Sequence, residues 1–259
     1  NFYVYQYATS FTASAALSEK VMAGDKEATK KYLEFLSAGG SKYPIDLLKD
    51  LEPVGLIATQ PSLIVGRKDL PANNLKDFVA YDKSNPDGTY YSSAAVGTSS
   101  HLTGELFAQA TGAKLVHVPY KGTGFSLNAL FTGEVQAAFL STATTSVQVK
   151  AGKLKALALL SEKRFSATPE IATSVEQGYP GLESYVWFGL YAPSRTPRAI
   201  ITKINRDVVS ILRSPEARDA LLAQGAEAVP NSPEEFAAFQ QREIAKWGKV
   251  IRDAHIVAQ

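Results

Sequence analysis

At 259 residues, with 45% hydrophobic and 20% charged content, the chain has the composition of a soluble globular protein. That length buries a substantial core as one large domain or two small ones. Its 27 basic and 25 acidic residues leave a net charge of +2, which excludes nucleic acid or an anionic membrane recognised through a strongly basic surface. Cysteine is absent, excluding disulfides, thiolate metal sites and cysteine nucleophiles. No apolar run approaches the roughly 18 residues needed to span a bilayer. Met occurs once, at Met22, and the chain starts at Asn1. It is therefore expected to begin inside a longer reading frame, with any signal peptide removed or not included.

In chain order, Phe2 to Tyr7 is an aromatic, β-branched strand that leads into a hydroxyl-rich turn at Thr9, Ser10, Phe11 and Thr12. A helix is predicted over Lys26 to Leu36, stopped by Gly39-Gly40, and a short helical turn over Pro44 to Asp50. Val54 to Ala58 and Ser62 to Val65 read as two strands separated at Pro61. A helix over Asn74 to Asp82, capped by Asn73 or Asn74, closes at the Asn85 to Gly88 turn. Tyr90 and Tyr91 suit a short strand, which turns through Gly97 into Thr98, Ser99 and Ser100 and a helix ending at Gly112. Lys114 to Val118 is a strand, Phe125 to Phe131 a helix stopped by Gly133, and Val135 to Leu140 a strand. A third hydroxyl-rich turn, Ser141 to Thr145, opens a short helix. Strands follow at Leu154 to Leu160 and Tyr185 to Tyr191, then three helices: Pro197 to Leu212, Pro215 to Gln224 and Pro233 to Ala254. Ser232-Pro233-Glu234-Glu235 is a capping box with proline at the first helical position.

Strands alternating with helices of about ten residues imply an α/β protein with a largely parallel, doubly wound sheet. Ligands of such sheets lie beyond the carboxyl ends of the strands. Three of these ends carry small or hydroxyl residues: Thr9 to Thr12, Val96 to Ser100, and Ser141 to Thr145. Each is a helix cap in its plainest reading. Together, nearly free of charge, they favour a neutral polar cleft that grips an anion through N–H and O–H groups, which suits binding more than catalysis.

Catalytic readings are weak. Of the three histidines, His101 follows Ser99-Ser100 but no Gly-x-Ser-x-Gly elbow is present, His117 lies in a strand where a packed, hydrogen-bonded ring is the commoner outcome, and His255 is near the end. No His or carboxylate cluster has metal-ligand spacing, and no cofactor motif is present.

Tyr91 to Phe107 followed by Val116-His117-Val118-Pro119-Tyr120-Lys121-Gly122 resembles the extracytoplasmic solute receptors of tripartite tricarboxylate transporters, the Bug receptors. The likeness continues through Gly133 to Gln136, Ala151 to Ala158, Gly178 to Gly181, Val186 to Pro193, Pro233 to Phe236 and Ile244 to Trp247. It covers roughly Tyr43 to the C-terminus. The resemblance implies a two-lobe periplasmic-binding-protein fold (type II, Venus flytrap), with mixed and parallel sheets flanked by helices. Lobe 1 would be residues 1–66 plus 190–259, and lobe 2 residues 67–189. Val96, Gly97, Thr98, Ser99, Ser100 and His101 match the family's carboxylate-gripping loop. Thr9 to Thr12 look like another cleft loop, Tyr120, Ser141 and Thr142 face the same cleft, and Trp187 and Phe188 match the returning hinge strand, as pocket wall or as core.

The departures from the family are specific. No Pro-Gly-Gly-rich loop lies upstream, so part of lobe 1 is expected to be absent. Ala95 stands where a second Gly is common, Leu140 where an Asp is common, and Glu19 to Ser41 reads as an insertion. The expected function is non-enzymatic, without cofactor: a periplasmic monomer that captures a di-, tri- or aromatic carboxylate and hands it to membrane permease subunits, with no nucleic-acid partner. A receptor for a membrane signalling kinase is the alternative, and a hydrolase or lyase on a similar scaffold a more distant one.

Overall fold

The computed structural model describes residues 51–256. The predicted elements before Leu51, and the Thr9 to Thr12 turn with them, lie outside these residues.

The element that organises the rest is a 17-residue strand, β1 (Leu51–Arg67). Its first part pairs antiparallel with β6 (Tyr185–Pro193), from Leu51 opposite Pro193 to Pro61 opposite Tyr185, and the short β7 (Glu227–Ala228) joins it at Ala58 and Thr59. From Ser62 onward β1 pairs instead with β4 (Ala137–Ser141) on one side and β5 (Leu154–Leu160) on the other, both antiparallel. The break expected at Pro61 is therefore corrected: one strand runs through it. Proline lacks the N–H a ladder needs, and here it sits where β1 leaves one set of partners for the next. The very next amide, Ser62 N–H, donates to Ser184 O at 2.8 Å.

The second region has strand order β3-β2-β4-β1-β5, with β2 at Thr89–Ser93 and β3 at Leu115–Pro119. β2 is parallel to β3 and β4, with Tyr91 opposite His117 on one side and Ala137 on the other. β2 to β5 thus run one way and β1 runs against them in their midst, so the sheet is mixed rather than largely parallel. β1 arrives from its pairing with β6, which sets its direction. Between the strands lie α1 (Leu75–Ser84), α2 (Ser99–Thr111), α3 (Thr123–Thr132) and α4 (Thr142–Lys150). The positive-φ glycines Gly112 and Gly133 end α2 and α3, where only a residue without Cβ turns left-handed at little cost.

Both faces of this sheet are covered, because successive side chains point to opposite sides. Ile64, Tyr91 and Phe139 pack with Leu75, Phe78 and Phe107 on one face. Leu63, Val65, Ala138 and Leu140 pack with Leu130 and Phe165 on the other. The smaller β1–β6 region is covered on one side by α5 (Arg198–Leu212), through Ile201 against Val54 and Ala192. On the other side α7 (Pro233–Asp253) inserts Phe236 against Leu56, Trp187 and Tyr191. Ser232 begins α7 with both arms of the predicted capping box formed. The far end of α7 crosses to α2, where Trp247 and Val250 meet Leu102 and Gln109 Nε2 donates to Val250 O at 3.2 Å. α6 (Pro215–Ala223) completes the C-terminal part.

Candidate ligand-binding site

Because β2, β3 and β4 are parallel neighbours, the helices that follow them begin side by side at the carboxyl edge of the sheet. Two backbone bonds hold the first two starts together: Tyr120 N–H to Ser93 O at 2.9 Å and Gly122 N–H to Ala94 O at 2.8 Å. No side chain caps α2, α3 or α4, nor α5, which starts after Pro197 away from this edge, whereas Asn74, Ser214 and Ser232 cap α1, α6 and α7. First-turn N–H groups have no intrahelical partner, so uncapped starts present donors at the positive end of a helix dipole.

The turn before α2 is tied down by its own hydroxyls. Thr98 Oγ1 donates to Ala95 O at 2.7 Å and lies 3.0 Å from Ser100 Oγ, which accepts Ala94 N–H at 3.0 Å. Thr98 and Ser100 are buried, while Val96 and Ser99 are half-exposed. Gly97 adopts φ 75°, and its N–H donates to His101 Nδ1 at 3.0 Å. That amide therefore points back to the imidazole. His101 is buried behind the turn, stacked on His117 with centroids 3.7 Å apart and planes at 8°. Burial pulls the His101 pKa down to about 4. For His117, burial and then the neighbouring His101 pull it down to about 3. Both rings are neutral at pH 7. Beneath them the Tyr91 hydroxyl donates to Glu105 Oε1 at 2.9 Å, and burial, then Glu105, raises the Tyr91 pKa.

The other predicted site residues separate into groups. Ser141 Oγ pairs with Thr144 Oγ1 at 2.8 Å. Thr142 is buried, its hydroxyl donating to Gly225 O at 3.2 Å, where the turn between α6 and β7 lies over the start of α4. The Tyr120 hydroxyl reaches Glu134 at 2.9 Å. Of the two readings of Trp187, the described contacts are those of core: its ring meets Phe236 and Phe239 edge-on at 5.9 and 5.7 Å. Phe188, on the opposite face of β6, is 44% exposed. Thr9, Ser10, Phe11 and Thr12 lie outside the described residues. Sequence reading missed the supporting layer of Ser93, Tyr91 and Glu105, for which the Tyr91 to Glu105 spacing carried no signal. His117, placed as a packed and hydrogen-bonded ring, is both: its Nε2 lies 2.6 Å from Ser93 Oγ. Among the described residues no group of three or more His, Asp or Glu is placed to hold a metal ion, and no helix is long and apolar enough to cross a membrane.

Comparison with known proteins agrees with this architecture. Residues 39–256 match the tripartite tricarboxylate transporter family receptor. The chain is 33% identical over 210 residues to protein BugT of Bordetella pertussis, an alignment covering 81% of this chain and 64% of BugT. It thus spans less than two thirds of that relative's length. A Rhodopseudomonas palustris protein solved with adipate superposes with a TM-score of 0.70 at 34% identity, covering 80% of this chain and 70% of the other. MatC of the same organism, solved with bound malate, gives 0.65 at 30% identity, over 78% and 69% of the two chains. Residues 1–53 match a different family, peptidase family M3, and the chain is 47% identical over 64 residues to oligopeptidase PepF of Bacillus subtilis, covering 25% of this chain and 9% of that enzyme. Thr9 to Thr12 and most of Glu19 to Ser41 thus precede the receptor match. Residues 1–53 contain no His, and the sequence has no His-Glu-x-x-His. From residue 39 to residue 256, the chain belongs to the tripartite tricarboxylate transporter receptor family.

Proposed function

We propose that this chain is the solute-capturing part of a periplasmic receptor, which holds a small organic carboxylate between two lobes and delivers it to membrane permease subunits. The observation that carries the reading is the set of uncapped helix starts side by side at the sheet edge. The segments Ala94 to Ser100, Gly122 to Gly124 and Ser141 to Ala143 carry no charged side chain. A carboxylate would be gripped there by oriented N–H and O–H groups, which need no counter-ion to hold an anion. The similar proteins solved with adipate and with malate support the ligand class. The grip is assigned to the first turns of α2 and α3 with Val96 and Ser99. Thr98, Ser100 and Thr142 shape it from behind, since their hydroxyls are already bonded within the protein.

The two lobes are taken as residues 67–189 and residues 190–259 with the segment up to 66, so that β1 and β6 pass between them. Closure about those strands would trap the ligand, and binding would stabilise the closed state by its differential affinity. A thermal-shift screen with adipate, malate, citrate and benzoate tests this. A ligand at about 100 times its Kd adds about 2.7 kcal/mol, which at about 2–4 °C per kcal/mol raises the Tm by about 5–10 °C. A non-acidic solute that raises the Tm while no carboxylate does would overturn the reading.

A further inference from the structure

The proposed grip needs one backbone turn, Ala94 to Thr98, to hold a particular shape, and two imidazoles stand directly behind it. Gly97 sits at φ 75° with its N–H turned inward, 3.0 Å from His101 Nδ1. His117, stacked face to face on His101, places Nε2 2.6 Å from Ser93 Oγ, and that hydroxyl donates to Ala95 O at 3.1 Å. We propose that His101 is a positioning residue for the ligand: by accepting the Gly97 N–H at Nδ1 while stacked on His117, it fixes the turn that presents Val96 and the α2 N-terminus. This rests on the carboxylate reading for its consequence, although not for its geometry.

The bond assigns the proton. Nδ1 accepts, so the proton of neutral His101 is on Nε2, which faces Glu105 Oε1 at 3.7 Å. With the Ser93 hydroxyl proton on Ala95 O, His117 carries its own on Nε2. Each imidazole then serves one backbone group of the turn, Gly97 directly and Ala95 through Ser93. A buried ring that only filled space would show no such preference for one tautomer.

The test uses the full 259-residue chain. In the unaltered protein, ¹⁵N NMR at pH 7 is expected to show His101 Nδ1 unprotonated and Nε2 protonated. A protonated Nδ1 would overturn the proposal without any variant. His101→Phe keeps a ring for the stack but no acceptor, and His101→Asn restores an acceptor near the Nδ1 position. His101→Phe is expected to speed hydrogen exchange of the Gly97 amide at least tenfold and to weaken adipate or malate binding at least tenfold. His101→Asn should recover most of both. Unchanged Gly97 exchange in His101→Phe, or equal losses in the two variants, would overturn the positioning role. If the unaltered chain binds neither acid, the carboxylate reading loses support while Gly97 exchange and the tautomer still decide this one.

Discussion

His101 and His117 lie ring on ring, 3.7 Å between centroids and 8° from parallel, although sixteen positions separate them in the chain. His101 is buried and His117 half-buried, both neutral, with the Tyr91 ring 5.1 Å from His117 and the Glu105 carboxylate 3.7 Å from His101 Nε2. Burial holds the His101 pKa down at about 4. A histidine ordinarily titrates near 6.5, so the unfolded chain takes up protons before the folded one does. The stability tied to this neutral pair is complete above about pH 6.5. It drains as pH falls from about 6.5 to about 4 for His101 and from about 6.5 to about 3 for His117, by about 1.4 kcal/mol per pH unit for each ring within its window. Urea unfolding from pH 8 to 4 should show a plateau and then this decline. In a His101→Asn, His117→Asn double variant the decline should be shallower, and an equal slope would remove the pair as its cause.

Two glycines make opposite predictions for the same substitution. Gly104 lies inside α2, where alanine ordinarily gains about 1 kcal/mol. Here its Cβ would fall 2.3–2.8 Å from Cε2, Cζ and the hydroxyl of buried Tyr91. Gly104→Ala is therefore expected to destabilise by about 2–3 kcal/mol and to disturb the Tyr91–Glu105 bond. Gly124, in the first turn of α3, has nothing within 4 Å of such a Cβ. Gly124→Ala should stabilise the fold by up to about 1 kcal/mol while weakening ligand binding, because its methyl enters the proposed grip. Paired Tm and affinity measurements on both variants check this.

The turn at Gly225 presses on the start of α4. A Cβ there would stand 2.8 Å from Ala143 Cα, and φ 71° is itself unfavourable for other residues. Thr142 Oγ1 donates to the Gly225 carbonyl from below. Gly225→Ala should cost about 2 kcal/mol or more and lift the turn, exposing the α4 amides to hydrogen exchange. Thr142→Val removes only the hydroxyl bond, with an expected loss of about 1 kcal/mol. Slower rather than faster exchange in α4 of Gly225→Ala would contradict this account.

Capping residues near to and far from the sheet edge should behave differently. Ser232→Ala breaks the α7 capping box and is expected to cost about 1 kcal/mol with unchanged affinity. Thr98→Val removes the tie to Ala95 O, and about 1 kcal/mol of stability should go with a clear loss of affinity. Similar affinities for the two variants in calorimetry would leave the Thr98 hydroxyl a structural tie of its turn with no part in binding.

The local features of this chain were legible in the sequence. Glycine stops at Gly112 and Gly133, a cap at Asn73 or Asn74 (Asn74 in the structure), the Ser232 cap and the alternation of strand and helix depend on sterics and hydrogen bonds within a few residues. Those forces act before any tertiary contact forms, so residue type and spacing were enough to place them. The hydroxyl-rich turns before α2 and α4 were likewise legible as helix starts at the ends of strands.

What the residues could not carry was partnership across the chain. β1 continues through Pro61 because β6, and then β4 and β5, pair with it, and no local property of Pro61 announces that exchange. The Thr142 hydroxyl is taken up by the carbonyl of Gly225, 83 positions away. His101 meets His117 because the parallel register sets His117 beside Tyr91, while the first turn of α2 folds His101 back over the same strands. Register is a property of two strands at once. It was decided by which faces could be buried together, and only the assembled sheet placed both imidazoles behind one turn.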